Sequence, residues 1–292
     1  MNDQAEKLRA MLLEEDSSQQ HKAKTLAVVS GKGGVGKSNF SLNLSISLCQ
    51  KGERVLLFDM DIGMGNLDIL MGRTSQYSIA DFFDNHLSMN DIVTKGPNGL
   101  SYIAGGTGLS HIVKLEEGQI SRFTEELAAL MRNYDFLVFD MGAGITEESA
   151  KFILSVEEIA IITTPEPTAI TDAYSAMKQI HLLDDSIPFH LVINRAQSEK
   201  EGKETFKRIS DVLKRFLERE TVLLGIIPDD RSIQQAVKRQ IPFILYQEES
   251  PASKAILQMA ERASTGKVDR SAKNNHSSQF ISKLKKFLFG RK

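Results

Sequence analysis

The sequence predicts an α/β protein with a doubly wound, mostly parallel sheet and helices on both faces. Short runs of apolar and β-branched residues alternate with longer segments whose apolar residues recur at helical spacing. The short runs are continuously apolar, as is typical of strands buried on both faces. The strand and helix patterns also alternate along the chain, which favours a parallel sheet with ligands at the carboxyl ends of its strands.

The predicted elements form one domain over residues 24–263. The strands are expected at 26–30, 55–61, 101–104, 136–140, 159–164, 189–194 and 222–228, and the longer helices at 39–51, 117–132, 168–183 and 200–218. Two appendages flank this domain. Residues 1–13 are predicted to form a short helix followed by a polar linker at 14–23, and residues 264–278 a polar tether before a different segment at 279–292.

Composition excludes several classes of protein. Lys+Arg 36 against Asp+Glu 38 gives a net charge of −2, so any attraction to nucleic acid or membrane must be local. One cysteine excludes an internal disulfide and an all-cysteine cluster within a single chain, and it fits a reducing cytoplasm. The N-terminus lacks the apolar core of a signal peptide, and no segment approaches the roughly 20 apolar residues of a membrane span. We therefore expect a cytoplasmic protein unless something docks it peripherally.

A glycine-rich loop follows the first predicted strand and precedes a helix, which is the context of a phosphate-binding loop. Its main-chain N–H groups would surround phosphate oxygens, Lys37 would neutralise them, and the Ser38 hydroxyl would bind Mg²⁺. Asn39 continues into the helix. A glycine-rich turn with a surface lysine is the alternative, and the strand and helix on either side argue against it. The loop is Gly31-Lys32-Gly33-Gly34-Val35-Gly36-Lys37-Ser38.

Three aspartates stand at the ends of two predicted strands. Asp59 and Asp61 close the second strand, and alternate residues at a strand end point the same way. Asp140 closes the fourth strand, where a carboxylate would hold Mg²⁺ through water, and Gly142 could donate its main-chain N–H to a γ-phosphate. Helix capping is the alternative for any one of them. Three aspartates beside a phosphate loop favour a nucleotide site.

The extra lysine of the loop, Lys32, resembles the deviant Walker A lysine of the MinD/ParA class of ATPases. The resemblance implies that Lys32 reaches across a homodimer interface to the partner's nucleotide. It also implies that Asp61 orients the attacking water and that Asp59 supports the metal and the loop. The family often has proline where Gly142 stands, which makes the role of this glycine less secure.

The nucleotide base is assigned by resemblance. A guanine-binding Thr/Asn-Lys-x-Asp motif is missing from the sequence. In MinD-like proteins the positions that match Asn194 with Arg195, and Pro228 with Asp229, flank adenine. The resemblance therefore implies ATP, with Mg²⁺, as the bound nucleotide.

Within the MinD/ParA class, the chain resembles one branch in particular. Residues 164–174 are similar to the flagellar branch of MinD-like ATPases, called FlhG, YlxH or FleN, and residues 3–9 match its N-terminal Asp-Gln-Ala-x-x-Leu-Arg motif. In that branch the segment stimulates the signal-recognition-particle-like GTPase FlhF, which makes Gln4, Leu8 and Arg9 candidate partner-binding residues. The branch controls flagellar number and placement through FlhF and flagellar C-ring proteins.

The end of the chain has the pattern of an amphipathic membrane helix. On a helical wheel five apolar side chains share one sector, and lysines including Lys285 lie outside it. Such a helix binds anionic lipids in the plane of the membrane. Core packing and capture by a partner protein are the alternatives. The five are Phe280, Ile281, Leu284, Phe287 and Leu288.

These observations predict an ATPase switch that dimerises on ATP, binds the membrane through its terminal helix and leaves after hydrolysis. A ParA-type DNA-partitioning ATPase or a division-site MinD-type ATPase is the alternative; the former needs a basic DNA-binding surface. A nitrogenase-reductase or arsenite-pump relative would need cysteine ligands beyond the lone Cys49. A tyrosine kinase of this superclass would need a tyrosine-rich tail, and no tyrosine follows Tyr246.

Overall fold

The computed structural model describes residues 23–61, 65–84, 87–105, 116–265 and 276–290. Within them, eight strands form one sheet in the order β3-β4-β2-β5-β1-β6-β7-β8. Every neighbouring pair is parallel except β3 with β4. The strands are β1 (Lys24–Ser30), β2 (Val55–Met60), β3 (Thr94–Lys95), β4 (Ser101–Ile103), β5 (Phe136–Ala143), β6 (Glu158–Thr163), β7 (Phe189–Ala196) and β8 (Val222–Pro228).

Helices cover both faces of the sheet, as the sequence predicts. A short 3₁₀ turn, Pro97–Gly99, precedes β4. The α-helices are α1 (Lys37–Gln50), α2 (Asn66–Met71), α3 (Ile79–Asp84), α4 (Glu117–Met131), α5 (Glu147–Ile153), α6 (Pro167–Leu183), α7 (Glu199–Leu217), α8 (Arg231–Lys238), α9 (Phe243–Tyr246), α10 (Pro251–Ser264) and α11 (His276–Phe289). None of these described helices is both long enough and apolar enough to span a membrane.

The predicted fold class is confirmed, with small shifts in the boundaries. All seven predicted strands and all four predicted helices are present. The antiparallel strand β3 was not predicted, because its two residues are too few to show a periodicity. The fourth predicted strand continues beyond Asp140 to Ala143, so Gly142 belongs to β5.

The two faces of the central strand β5 divide the core in two. Leu137, Phe139 and Met141 face the cluster that includes α4. Phe136 and Val138 face the cluster that includes α1 and α10. This alternation follows from the two-residue period of a strand. Both sets are apolar, which is why the sequence of β5 is continuously hydrophobic.

The helix that follows the glycine-rich loop, α1, is buried almost all round. Its polar side chains therefore need partners inside the protein. The hydroxyl groups of Ser45 and Ser47 donate to the carbonyls of Ser41 and Asn43, four residues earlier, at 2.7 and 2.8 Å. The Asn43 Oδ1 atom accepts the main-chain N–H of Ile244 at 2.9 Å, which fixes α9 against α1.

The C-terminal helix α11 lies on the body of the protein, so the apolar face assigned to lipid is turned inward. Phe280, Leu284 and Leu288 are buried, and Ile281 and Phe287 are partly buried against the same cluster. The helix contacts α4, α5 and β1. The described part of α11 therefore packs as in the core-packing alternative, and a role of residues 279–292 as a membrane-targeting helix stays a prediction.

Aromatic packing explains why α11 docks. The Phe280 ring stacks on Phe139 with centroids 5.4 Å apart, and Phe139 stacks on Phe58 at 5.1 Å. Lys283 lies 3.8 Å from Asp184, at the end of α6. Lys285 remains exposed on the opposite side of the helix. An amphipathic pattern cannot distinguish lipid from a protein groove, because both offer an apolar surface to the same face.

We predict that Phe280→Ala will release α11 from the body. A Phe-to-Ala change at a packed site costs about 3–5 kcal/mol, and it would remove the ring of α11 that stacks on Phe139. Amide hydrogen exchange across α11 should accelerate, and binding of an apolar dye should increase. Lys286→Ala, on the exposed side of the same helix, should change neither. Unchanged exchange in Phe280→Ala would show that Phe280 does not hold the helix.

Candidate nucleotide-binding site

The glycine-rich loop joins β1 to α1 at the carboxyl end of the sheet, and its glycines are required by geometry. A Cβ atom on Gly31 would lie 2.0 Å from the carbonyl oxygen of Asp172 in α6. Gly34 and Gly36 have φ of 78° and 96°, in the left-handed region that disfavours other residues. Gly33 and Gly34 are exposed. The loop therefore offers main-chain groups at the positive N-terminal end of α1, as phosphate binding requires.

Lys37, the first residue of α1, forms a buried ion pair with Asp140. The Lys37 Nζ atom lies 3.0 Å from Asp140 Oδ1, and the Ser41 hydroxyl donates to the same oxygen at 3.0 Å. The side chains are 7% and 0% exposed. A bound phosphate would compete with Asp140 for this ammonium group.

Asp59 and Asp140 are direct neighbours across β2 and β5. Burial, followed by repulsion from Asp140, raises the pKa of Asp59 to about 7. Asp59 accepts the main-chain N–H of Asp61 at 3.1 Å and that of Leu67 at 3.5 Å, so it also holds the main chain at Asp61 and in α2. Two carboxyl groups on directly paired residues of neighbouring strands form a site that favours a cation.

The residues fit a divalent cation that also uses phosphate or water oxygens. Asp140 Oδ2 is buried and has no hydrogen-bond partner within the described part of the chain. Ser38 is half-buried at the start of α1. No group of three or more His, Cys, Asp or Glu side chains among the described residues could hold a metal ion by itself. Ser38, Asp59 and Asp140 are hard oxygen donors, the type that Mg²⁺ prefers.

Asp61 lies just beyond the end of β2 and completes the charged cluster. Burial raises its pKa, Lys37 lowers it and Asp140 raises it, so the three groups interact. One carboxylate oxygen lies 3.5 Å from the position that a Cβ atom on Gly142 would occupy. The other accepts from Asn66 Nδ2 at 3.5 Å. Asp61 is therefore close to both Gly142 and Lys37, where it could bind a water molecule.

Lys32 has a different environment from Lys37. Its Nζ atom lies 3.4 Å from Glu166 Oε2 and 3.2 Å from the Thr168 hydroxyl, both at the start of α6. The Lys32 side chain is 42% exposed. Glu166 and Thr168 were not predicted as contacts, although they lie in the segment that resembles the flagellar branch. Lys32 is accessible to a second molecule.

Three of the four residues proposed to flank adenine, Asn194, Arg195 and Asp229, line a cleft of about 620 Å³. Gly36 and Asn39 line the same cleft. Pro228 ends β8 but is not among its described lining residues. The wall formed by α8 and α9 was not predicted. That wall includes Ile233, Gln234, Val237, Lys238 and Phe243.

A sequence signal for this wall exists. Asp230 caps α8 by accepting the N–H of Ser232 at 2.8 Å, and Ile233 and Val237 are four residues apart on the helix face beyond it. An aspartate pair followed by an amphipathic helix at a predicted ligand edge could therefore have indicated the wall.

Comparisons with known proteins agree with this geometry. A ParA family model, described as an NUBPL iron-transfer P-loop NTPase, matches residues 21–264. The chain is 34% identical to the antiactivator FleN of Pseudomonas aeruginosa, over 85% of the chain and 87% of FleN. It is also 34% identical to the flagellum site-determining protein YlxH of Helicobacter pylori, over 71% of the chain and 77% of YlxH. The structure of MinD from Pyrococcus horikoshii with Mg-ADP superimposes with a TM-score of 0.68 at 26% identity, covering 86% of this chain and 100% of MinD.

Iron transfer, named in the family description, has little support in the residues. Cys49 is the single cysteine of the chain and lies near the end of α1, away from the glycine-rich loop. Burial raises the pKa of its thiol to about 11, whereas a metal ligand must be a thiolate. One cysteine also cannot supply an all-cysteine cluster within one chain.

We predict that Asp59 makes the ligand-free protein less stable as pH rises. Its pKa is about 7 in the folded protein and 3.8 in the reference state, so the folded protein binds more protons between these values. The free energy of unfolding should therefore fall from about pH 4 to pH 7 through this group. Asn does not ionise, so Asp59→Asn should not show this fall in the free energy of unfolding. Its urea midpoint should exceed that of wild type at about pH 8, and the two midpoints should converge near pH 4.

Asp91→Asn serves as the control, because the pKa of Asp91 is shifted in the opposite direction from that of Asp59. Hydrogen bonds from Ser88 lower the pKa of Asp91, so Asp91 stabilises the folded protein above its unfolded pKa and loses this effect in acid. Asp91→Asn should therefore not raise the midpoint at about pH 8. A lower midpoint for Asp59→Asn than for wild type at that pH would show that the Asp59 charge is not destabilising.

Proposed function

The chain belongs to the ParA family of P-loop NTPases and is a MinD-like member of its flagellar branch; on this basis we propose that it is an ATP-driven dimerisation and membrane switch. The observation that carries the proposal is the cluster of Lys37, Asp59, Asp61 and Asp140 at the loop, together with the accessible Lys32. The name of the relative YlxH, a flagellum site-determining protein, supports a flagellar role.

ATP binds with its phosphates at the glycine-rich loop and its base in the cleft. Main-chain N–H groups of residues 33–37 donate hydrogen bonds to the phosphate oxygens. The Lys37 ammonium group leaves Asp140 and contacts phosphate oxygens instead. Ser38, Asp59 and Asp140 would hold the Mg²⁺ ion, the two aspartates partly through water. The ion supplies neutralisation of charge on the phosphate oxygens. Asn194, Arg195 and Asp229 line the cleft beside the loop, where the base would lie. The Mg-ADP complex of the P. horikoshii MinD supports binding of an adenine nucleotide with Mg²⁺.

Hydrolysis uses two groups at the end of the sheet and one from a second subunit. Asp61 orients the attacking water, and the Gly142 N–H donates to the γ-phosphate. The partner's Lys32 adds positive charge as the phosphate bond breaks. The proximity of Asp61 to Gly142 and to Lys37 supports this arrangement.

Dimerisation requires Lys32 to leave Glu166 and Thr168. Exposed ion pairs contribute roughly 0–1 kcal/mol, so this exchange costs little. The contrast with the buried Lys37 pair supports different roles for the two lysines. In the dimer, each Lys32 would lie at the nucleotide of the other subunit.

Membrane binding requires α11 to leave the body. Once released, its apolar face enters the lipid and Lys285 with its neighbours meets anionic headgroups. A single short helix binds marginally, whereas two in one dimer bind together. We propose that the ATP dimer releases the helix, so that the protein is cytoplasmic as a monomer and peripheral on the inner membrane face as a dimer.

The flagellar partners are proposed from the relatives. Gln4, Leu8 and Arg9, the candidate contacts with the GTPase FlhF, lie outside the described residues. C-ring proteins would need a surface on the body. Three exposed apolar side chains lie at the ends of the adjacent helices α6 and α7 and could form such a surface: Leu182, Leu183 and Phe216. DNA partitioning and division-site placement are the alternatives.

We predict that ATP will drive tail-dependent binding to membranes. Purified protein should sediment with anionic liposomes in ATP but not in ADP, and a chain truncated after Ser278 should stay in the supernatant in both. Binding that ignores the nucleotide would contradict the switch. Nucleotide-dependent binding to DNA, with none to liposomes, would favour the DNA-partitioning alternative.

We predict that Lys32 acts in the partner's site. Lys32→Ala should lower ATP turnover by a factor on the order of 10², below the 10³ to 10⁵ typical of an arginine finger. Asp61→Ala should also be inactive. In a mixture of the two, a site that keeps Asp61 can receive Lys32 from the other subunit, so turnover should partly recover. Lys203→Ala, an exposed lysine outside the site, is the matched control.

The mixture distinguishes the two arrangements of Lys32. If Lys32 served its own site, each subunit of the mixture would lack one necessary residue and no turnover would return. That result, with both variants folded, would rule out the role in the partner's site.

A further inference from the structure

Asn194, at the end of β7, holds the main chain of the glycine-rich loop. Its Nδ2 atom donates to the Val35 carbonyl oxygen at 2.7 Å, across 159 positions of sequence. Its Oδ1 atom accepts the main-chain N–H of Arg195 at 2.9 Å. The Asn194 residue is 6% exposed. Both ends of this buried amide are thus occupied, which fixes the side chain in one orientation.

The contact falls on a carbonyl that α1 does not use. The first main-chain bond of α1 runs from the N–H of Phe40 to the carbonyl of Gly36 at 3.0 Å, one residue after Val35. The Val35 carbonyl therefore lies outside the helical ladder, in a residue that is itself 5% exposed. A buried carbonyl needs a donor, and Asn194 supplies one.

Gly36 is shaped by the same contact. A Cβ atom on Gly36 would lie 2.3 Å from Asn194 Nδ2, so only glycine lets the amide approach. The φ of Gly36, 96°, independently requires glycine. The loop is thus fitted closely to Asn194.

The planarity of the peptide bond gives this contact a consequence for phosphate binding. In a trans peptide the C=O of Val35 and the N–H of Gly36 point in opposite directions. A carbonyl held toward Asn194 therefore directs the Gly36 N–H away from Asn194. Main-chain N–H groups held in a fixed orientation are what a phosphate-binding loop requires.

We propose that Asn194 is a positioning residue for the phosphate loop: it fixes the Val35–Gly36 peptide so that the N–H groups at the start of α1 face the phosphates. The inference rests on the nucleotide binding proposed above. It differs from recognition of the base, the role that the sequence analysis gave to Asn194. Because Asn194 also lines the base cleft, it links the cleft and the loop through one side chain.

The first test uses the ligand-free protein. Asn194→Asp keeps the shape of the side chain but places an oxygen against the Val35 carbonyl. Amide hydrogen exchange at Phe40, whose N–H donates to the Gly36 carbonyl at 3.0 Å, should accelerate by about tenfold or more once the Val35–Gly36 peptide is no longer held. Asp229→Asn alters the same cleft without contacting Val35, so it should leave exchange at Phe40 unchanged. Unchanged exchange in a folded Asn194→Asp protein would overturn the proposal.

The second test separates positioning from base recognition. Tripolyphosphate has no base, and its binding with Mg²⁺ can be measured beside that of ATP by competition with a fluorescent nucleotide. Asn194→Asp should weaken both by a similar factor, on the order of tenfold. Asp229→Asn should weaken ATP alone. Weakening of ATP alone by Asn194→Asp would assign Asn194 to the base and overturn the proposal.

Two further outcomes are informative. If Asn194→Asp does not fold, Asn194→Ala removes the donor without adding charge and is expected to give the same pattern in both tests. If the wild-type protein binds neither ATP nor tripolyphosphate, the proposed nucleotide function fails. The exchange test needs no ligand, so it still decides whether Asn194 holds the loop.

Discussion

The buried ion pair between Lys37 and Asp140 is the interaction on which the rest of the site depends. Removing two charges from water costs several kcal/mol per ion, and the contact offsets this only with good geometry and added hydrogen bonds. Here the geometry is 3.0 Å, and the Ser41 hydroxyl adds one bond. The pair joins the loop after β1 to the neighbouring strand β5. Burial, followed by repulsion from Asp140, raises the pKa of Asp59, so the same carboxylate also affects the charge of its neighbour across the sheet.

The strands that carry these carboxylates also support the C-terminal helix. Phe58 and Phe139 immediately precede Asp59 and Asp140, and Phe139 stacks on Phe280 of α11. Since a strand alternates its faces, the rings pack on the α4 side while the carboxylates stand at the strand ends. Ligand site and tail thus share two adjacent strands. Any coupling between them is reciprocal: a nucleotide state that favours release of the tail is itself favoured when the tail is released.

Much of the fold and part of the site could be predicted from the sequence. Continuous apolar runs located seven strands, and their parallel arrangement brought Asp59 and Asp140 together because the carboxyl ends of parallel strands share one edge. The two-residue strand β3 and the α8 wall of the cleft left weaker patterns. The docking of α11 could not be resolved, because its pattern fits lipid and a protein groove equally well. The bond from Asn194 to Val35 joins distant residues, and nothing local in either segment indicates it.

The two lysines of the loop have environments that suit the different roles proposed for them. Breaking the Lys37 pair would leave an uncompensated buried charge, so Lys37 can leave Asp140 only for another anion, such as a phosphate. Lys32 is five residues earlier, is 42% exposed and is held by a weak surface contact. It can therefore move to a new partner without destabilising the fold. Burial, more than residue type, gives these two lysines different tasks, since the same ammonium group is a fixed part of the site in one position and an available contact in the other.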